Sequence, residues 1–193
     1  MMHHAGMNYE RRMISGLNYY LSGANKTWRG IPVMQRSDGS WMKETVPTAR
    51  YIARHNSYYP TDTLEAFRND WFCEIFQPII NNMDSHEFMF GKQKRDAIVD
   101  VTTNLLPNFF KRIEEYCKEG WLIGDGTKIY MCDFFVGSVY TDLFINKTSW
   151  MTQKHKDSIR AKCPIYCAYG ERFANENRGW MQKRALQFKD NRA

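Results

Sequence analysis

Trp121-Leu122-Ile123-Gly124-Asp125, followed after a short loop by Ile129 and then by Cys132-Asp133-Phe134, is the stretch on which the reading of this chain turns. Three apolar residues run into a Gly-Asp-Gly-Thr loop at 124–127, and from Cys132 to Phe144 the sequence is strongly apolar. A helix that is apolar on all sides is a buried one, so 132–144 is expected at the centre of a helical domain. Asp133 falls in the first turn of that helix. A carboxylate there can satisfy backbone N–H groups that have no partner within the helix, which predicts a folding role and not a catalytic one.

Working outward, 152–167 and 171–188 read as two further helices. Upstream, Ile98, Val101, Leu105, Phe109 and Ile113 mark a long helical segment that Pro107 is expected to bend or interrupt. Before it, Thr61 or Thr63 can cap a helix running towards Met83, in which Leu64, Phe67, Trp71, Ile75 and Ile79 recur at spacings of three and four. The composition changes at Tyr58-Tyr59-Pro60-Thr61. On the N-terminal side, Gly30 to Met34 predicts a strand, Ser37-Asp38-Gly39-Ser40 a hairpin turn, Trp41-Met42 a second strand, and Val46 to Arg54 a short helix. Thr45 can cap that helix, with Pro47 tolerated in its first turn. Further upstream, Arg11 to Ser22 can supply a helix and Asn25 to Trp28 part of a strand. The expected organisation is α+β and mainly α, with a small α/β domain at 1–57 and an all-helical domain at 58–193 that ends in a basic tail.

Composition narrows the function classes. With 43% apolar and 15% aromatic residues the 193-residue chain is too rich to be disordered. No apolar run approaches the roughly 20 residues that cross a bilayer, and 1–21 lacks the apolar centre of a secretory signal. The expectation is an intracellular protein, with arginines at 11 and 12 compatible with a mitochondrial address and equally with the cytoplasm. The net charge is +6, and Arg178 to Ala193 holds five basic residues and one acidic one. No RNA-binding aromatic signature, finger-type metal spacing or phosphate-cradling glycine loop accompanies that charge, so neither nucleic acid nor a metal is expected. Cys73, Cys117, Cys132, Cys163 and Cys167 are odd in number and contain no C-x-x-C pair, and they read as reduced thiols filling apolar space.

The order strand, turn, strand, short helix and then five or six helices resembles the cytosolic glutathione transferases of sigma, alpha or mu type. The Trp121–Phe134 stretch is similar to the segment that opens that family's central helix, although its loop is about two residues longer and Tyr130 stands where a capping Ser or Thr is usual. Ile31-Pro32-Val33 resembles the family's strand before a cis-proline, whose backbone pairs with the cysteinyl part of glutathione. Asp38-Gly39, Glu44-Thr45 and Ala49-Arg50-Tyr51-Ile52-Ala53 resemble its turn, its acid-plus-hydroxyl pair and the helix that follows. By resemblance, Ile31, Pro32, Glu44 and Thr45 are glutathione-binding residues, the last two holding the γ-glutamyl group at a helix N-terminus; equally, Thr45 is only a cap and Glu44 only a charge at the helix start. Glu65, Asp70 and Glu74 are similar to an acidic set at the family's subunit interface, and Asp70 and Glu74 are the implied interface residues, with a solvated helix face as the simpler alternative.

The resemblance also implies what is missing. The family places a strand, helix, strand and helix before the cis-proline, whereas only 31 residues precede Pro32. A single βαβ unit already takes about 30 residues, so the thioredoxin-like domain is abbreviated. The activating hydroxyl would fall near Tyr9, the candidate catalytic residue, with Ser15 the other nearby hydroxyl. Positioned by so short a first strand, Tyr9 is poorly placed to lower the pKa of a thiol. The expectation is a transferase-like protein that has lost catalysis and acts as a structural or interaction subunit, with other subunits or a second copy as partner and glutathione as the implied ligand. The alternative is an active glutathione transferase or peroxidase.

Overall fold

Two strands of two residues each, Met34–Gln35 (β1) and Trp41–Met42 (β2), pair antiparallel with Met34 opposite Met42. Gly39 turns the chain at φ +84°, and Asp38 accepts from the Ser40 amide and hydroxyl at 2.9 and 2.6 Å. The helix Thr45–His55 (α1) follows, burying Ile52 and Ala53. Pro47 sits in its first turn, and Asn56 closes its end by donating to the Ile52 carbonyl at 2.8 Å. These elements belong to the first of two compact units, Met1–Tyr59 and Pro60–Ala193. The computed structural model describes residues 1–10, 33–85, 90–117, 120–147 and 149–182. The helix expected at 11–22 and the strand expected at 25–28 lie outside them, as do Gly30, Ile31 and Pro32.

The second unit is helical. Its elements are Thr63–Ser85 (α2), Gly91–Asp100 (α3), a π-helical turn at Val101–Leu105, Leu106–Ile113 (α4), Met131–Tyr140 (α5) running into a second π turn at Thr141–Ile145, Gln153–Lys162 (α6) and Pro164–Glu176 (α7). The apolar sequence of α5 is explained by its place: it packs against α2 and α7 and buries Met131, Cys132, Phe135, Val136, Val139 and Tyr140. Two glycines set how closely α5 and α7 approach. A Cβ at Gly137 would stand 2.2 Å from the Phe173 ring, and one at Gly170 would stand 2.1 Å from the Tyr140 ring. Each helix therefore receives an aromatic side chain of the other where its own side chain is missing. All five cysteines are buried, and none is in a disulfide.

Asp133 ties the loop before α5 to the helix and to α7. Its carboxylate accepts from the Leu122 amide at 3.0 Å, the Tyr130 amide at 2.8 Å and the Tyr169 hydroxyl at 2.8 Å. Tyr130 occupies the cap position through its backbone, so the missing cap hydroxyl is replaced by Asp133 reaching back to it. Asn69 of α2 supplies a further bond, its Oδ1 accepting from the Cys132 amide at 3.0 Å. At α7, the buried Glu114 plays the same part for a different helix. It accepts from the Ile165 and Tyr166 amides at 2.9 and 3.2 Å, and its other oxygen pairs with Lys111 at 2.9 Å.

Several expectations are corrected. Among the described residues of the expected first strand, Met34 is paired and the pairing extends one residue further, to Gln35. The cap of α2 is Asp62, which accepts from the Glu65 amide at 2.9 Å, and not Thr61 or Thr63. Leu64, Phe67 and Trp71 do not face the core: they are 56%, 66% and 40% exposed. The buried stripe of α2 is Asn69, Phe72, Cys73, Phe76 and Ile79 instead. The interruption expected at Pro107 is present and lies just ahead of it. The preceding π turn, closed by the Leu106 amide on the Val101 carbonyl, absorbs it, and the Thr103 carbonyl, four residues before the proline, accepts from Lys162 at 3.4 Å. The last two helices divide at Cys163, ahead of the expected break between 167 and 171, because Pro164 disfavours a helical residue before it and Cys163 has φ −130° and ψ 60°.

Burial holds the Asp133 carboxyl above its usual 3.8, at about 6, against the opposing pull of its donors from Tyr130, Leu122 and Tyr169. A carboxyl raised in the folded state adds stability that is fully present below 3.8 and is lost as pH rises through about 6. Asp133→Asn, which has no proton to lose there, should therefore narrow its stability gap to wild type as pH goes from about 4 to about 7. Asp133→Ala should lose about 2 kcal/mol or more at pH 7, since it leaves buried donors without an acceptor. Thermal melts across pH check both, and an unchanged midpoint for Asp133→Ala would remove Asp133 from its place as organiser of α5.

Candidate functional site

The candidate site begins at the N-terminus of α1. Glu44 stands at the cap position with φ 68° and ψ 131°, a backbone conformation that a non-glycine residue seldom adopts. Such strain is worth about 1 to 3 kcal/mol and is found where local geometry serves a purpose. Its carbonyl accepts the Thr48 amide at 3.1 Å, and the Thr48 hydroxyl donates to the Lys43 carbonyl at 3.1 Å. Among the described residues no side chain caps this helix. Thr45 is the first helical residue rather than the cap, and both Glu44 and Thr45 are exposed. The helix start thus presents the Thr45 hydroxyl and the first backbone N–H groups to solvent, with the Glu44 carboxylate beside them. That combination suits a ligand carrying a carboxylate and an ammonium.

Arg36 lies over the Tyr51 ring at 5.4 Å, and Tyr51 packs on His55 at 4.1 Å, so the exposed side of α1 is aromatic and basic. Tyr9 is 38% exposed. It follows a segment of hydrogen-bonded turns and not a strand: the Ala5, Gly6 and Met7 amides donate to the Met1, His3 and Met2 carbonyls at 2.9 to 3.1 Å. His4 and Met7 anchor that segment to the first unit, His4 Nδ1 lying 2.7 Å from the Tyr58 hydroxyl and Met7 Sδ accepting from Asn56 at 3.4 Å. Ile31 and Pro32, the implied partners of the cysteinyl backbone, lie outside the described residues. Glu44 and Thr45 are therefore the implied binding residues that the structure brings together.

Asp70 and Glu74 sit one turn apart on α2, Asp70 half-buried and Glu74 exposed. Asp70 accepts from the Asn69 amide group at 3.2 Å. Glu65, the first of the acidic set, has a structural role, since it accepts from the Gly124 amide at 2.9 Å while pairing with Arg68 at 2.6 Å. Asn69 and Glu114 escaped sequence reading because each caps a helix distant in the chain, and no local pattern marks such a bond. A shallow cleft of about 210 Å³ in the helical unit is lined by Thr103, Pro107, Asn108, Lys111, Lys162 and Cys163. It contains none of the implied site residues, and its lysines are bonded to Glu114 and to the Thr103 carbonyl. Among the described residues no cluster of acidic, histidine and cysteine side chains could hold a metal.

No family model matches the sequence. A segment of 52 residues is 36% identical to S-crystallin SL20-1 of Nototodarus sloanii, which is 27% of this chain and 23% of the crystallin, so the match spans under a quarter of that relative's length. The structure is similar to rat hPGDS complexed with a quinoline, with a TM-score of 0.78 at 16% identity over 94% of this chain and 87% of that one. It is similar also to prostaglandin synthase D of Nilaparvata lugens, with a TM-score of 0.76 at 16% identity over 95% and 88%. Na-GST-3, a glutathione S-transferase of Necator americanus, aligns with a TM-score of 0.75 at 18% identity over 93% and 86%.

If Glu44 is held in strain for a ligand, Glu44→Gly should raise stability by about 1 kcal/mol, glycine having no penalty at positive φ. A thermal melt without ligand reads this directly, and a fall in midpoint would mean that the Glu44 side chain supports the fold. With a two-stranded sheet and one helix among the described residues of its first unit, a helical second unit and its agreement with solved glutathione S-transferases over more than nine-tenths of its length, the chain has the fold of the cytosolic glutathione transferases.

Proposed function

We propose that this protein is a catalytically degenerate glutathione-transferase-like protein that serves as a structural or interaction subunit of a larger assembly. The observation that carries this reading is the turn structure of Met1–Met7, which leaves Tyr9 without a strand to aim it. Conjugation needs glutathione as thiolate, and a thiol with a pKa near 8.5 to 9 is only a few per cent ionised at about pH 7. An exposed phenol supplies little of the fixed electrostatic stabilisation that such a shift requires. A crystallin and working transferases both stand among the proteins that this chain resembles, which favours a fold that serves structural as well as catalytic ends.

Glutathione recognition is a separable matter. The strained Glu44 and the uncapped start of α1 favour retention of a site for the γ-glutamyl end of the tripeptide, with Glu44 accepting from its ammonium and Thr45 and the helix N–H groups holding its carboxylate. Ile31 and Pro32 would complete it through backbone pairing with the cysteinyl unit. This same observation supports the second reading, an active transferase or peroxidase with Tyr9 as activator. Asp70 and Glu74 are proposed as residues of a subunit contact. Five buried cysteines, none in a disulfide, fit an intracellular location, cytoplasmic or mitochondrial, and no helix among the described residues is long and apolar enough to cross a membrane.

Calorimetric titration with glutathione beside a conjugation assay with a chromogenic electrophile separates the readings. Conjugation should scarcely exceed background, and Tyr9→Phe should leave it unchanged. A robust rate that falls about 10²-fold or more in Tyr9→Phe would overturn the degenerate reading and make the protein a working transferase.

A further inference from the structure

The helical unit carries a concentration of positive charge that the α1 site does not use. The helix α6 holds Lys154, Lys156, Arg160 and Lys162 against one acid, Asp157. Arg160 pairs with that acid at 3.5 Å, and Lys156 donates to the Phe144 carbonyl at 3.0 Å. Lys154 and Lys162 stand exposed about two turns apart, and Lys162 lines the cleft of about 210 Å³ between α4 and α6. Lys111 of α4 lines the same cleft, with its side chain 68% exposed. Basic residues favour the last turn of a helix, which accounts for each lysine singly. It does not account for two of them, from different helices, opening on one cavity.

We propose that this cleft binds a phosphate monoester, with Lys111 and Lys162 holding the dianion and the Asn108 side-chain amide donating to it. The state of the lining groups selects an anion. The Thr103 hydroxyl is spent on the Val99 carbonyl at 2.7 Å and the Cys163 thiol on the Pro107 carbonyl at 3.5 Å. Glu114 is buried and both its oxygens are engaged, one by the Ile165 and Tyr166 amides and the other by Lys111. An ammonium has three N–H donors, so Lys111, with one on Glu114, and Lys162, with one on the Thr103 carbonyl, each keep two for a ligand. Asn108 is exposed and adds an amide. A phosphate monoester carries close to two negative charges and three acceptor oxygens, enough for donors on three sides, whereas a carboxylate has one charge and two oxygens. The cavity is smaller than the roughly 300 Å³ at which drug-sized pockets begin, which limits the ligand to a phosphate with few atoms attached. The remaining lysines of α6 extend the positive field beyond the cleft and raise the local concentration of anions. No residue of the cleft belongs to the α1 site, so this binding is independent of the transferase readings.

Nuclear magnetic resonance of the full isotope-labelled chain, titrated with glycerol phosphate at fixed ionic strength, tests the site. The Asn108 side-chain amide and the Thr103 and Lys162 backbone amides should shift together and saturate, with a dissociation constant of about 1 mM. Lys162→Gln should weaken binding about tenfold, the loss expected for one charge-assisted hydrogen bond. Lys154→Gln removes the same charge outside the cleft and should change affinity less than about twofold, since salt screens it over that distance. Acetate at equal ionic strength should bind about tenfold more weakly than glycerol phosphate. Lys111→Gln is a second test where its melting midpoint matches that of wild type; should it loosen the cap on α7, Lys162→Gln decides. Once glycerol phosphate is seen to saturate the site, vesicles of phosphatidylcholine with phosphatidic acid offer the same group on a membrane. Capture of wild type but not of Lys162→Gln names a lipid headgroup as the source, and absence of capture names a soluble monoester. A wild type with no saturable shift overturns the proposal, as does equal affinity for acetate or an equal effect of Lys154→Gln and Lys162→Gln.

Discussion

The helical unit depends on one buried carboxylate. Asp133 has almost no contact with water, and the three groups that donate to it come from three places in the chain: the loop at Leu122, the cap position at Tyr130 and α7 at Tyr169. Desolvating a carboxylate is unfavourable, and bonds from backbone amides offset that loss only when they are already aimed at it. The loop from Gly120 to Tyr130 is shaped to aim them. Within it the Trp121 amide donates to the Gly126 carbonyl at 3.0 Å, and the close approach of Gly126 admits no Cβ at position 120. Arg172 closes the loop from outside by donating to the Gly120 carbonyl while lying over the Trp121 and Tyr169 rings at 5.3 and 5.6 Å.

With the start of α5 fixed in this way, the rest of the bundle follows by contact. Asn69 binds the same helix start from α2, and the paired glycines at 137 and 170 let α5 and α7 approach until each accepts an aromatic ring of the other. Tyr166 then stacks on Phe110 at 3.8 Å, which brings α4 into register, and Glu114 at the end of α4 in turn caps α7. The helical unit is built around satisfied helix ends, whereas the start of α1 in the other unit carries no side-chain cap.

How far the fold was legible depends on the range of the interactions involved. Asp133 could be read because its partner Tyr130 is three residues away and the apolar run behind it declares a buried helix. The α1 helix, the turn at Asp38-Gly39 and the strand at Trp41-Met42 were readable for the same local reason. Asn69 and Glu114 were not, since each bonds a helix start 63 or 51 residues distant. Periodicity located α2 but misassigned its faces: Leu64, Phe67 and Trp71 recur as regularly as Phe72, Cys73, Phe76 and Ile79 do, and only the position of α5 shows which stripe is covered. At the candidate site the acid and hydroxyl at 44 and 45 were legible as a pair, whereas the positive φ of Glu44 leaves no mark on a sequence in which glycine would have been the usual signal.

The dependence of the helical unit on Asp133 is tested most directly by native-state hydrogen exchange at the Leu122, Tyr130 and Cys132 amides, the first two bonded to Asp133 and the third to Asn69. If the buried carboxylate organises the unit, these amides should exchange only through global unfolding, with an opening free energy equal to that of the Val136 and Val139 amides inside α5. Exchange at Leu122 and Tyr130 through a local opening, with the amides inside α5 still fully protected, would contradict the account and reduce Asp133 to an ornament of a helix that other contacts hold.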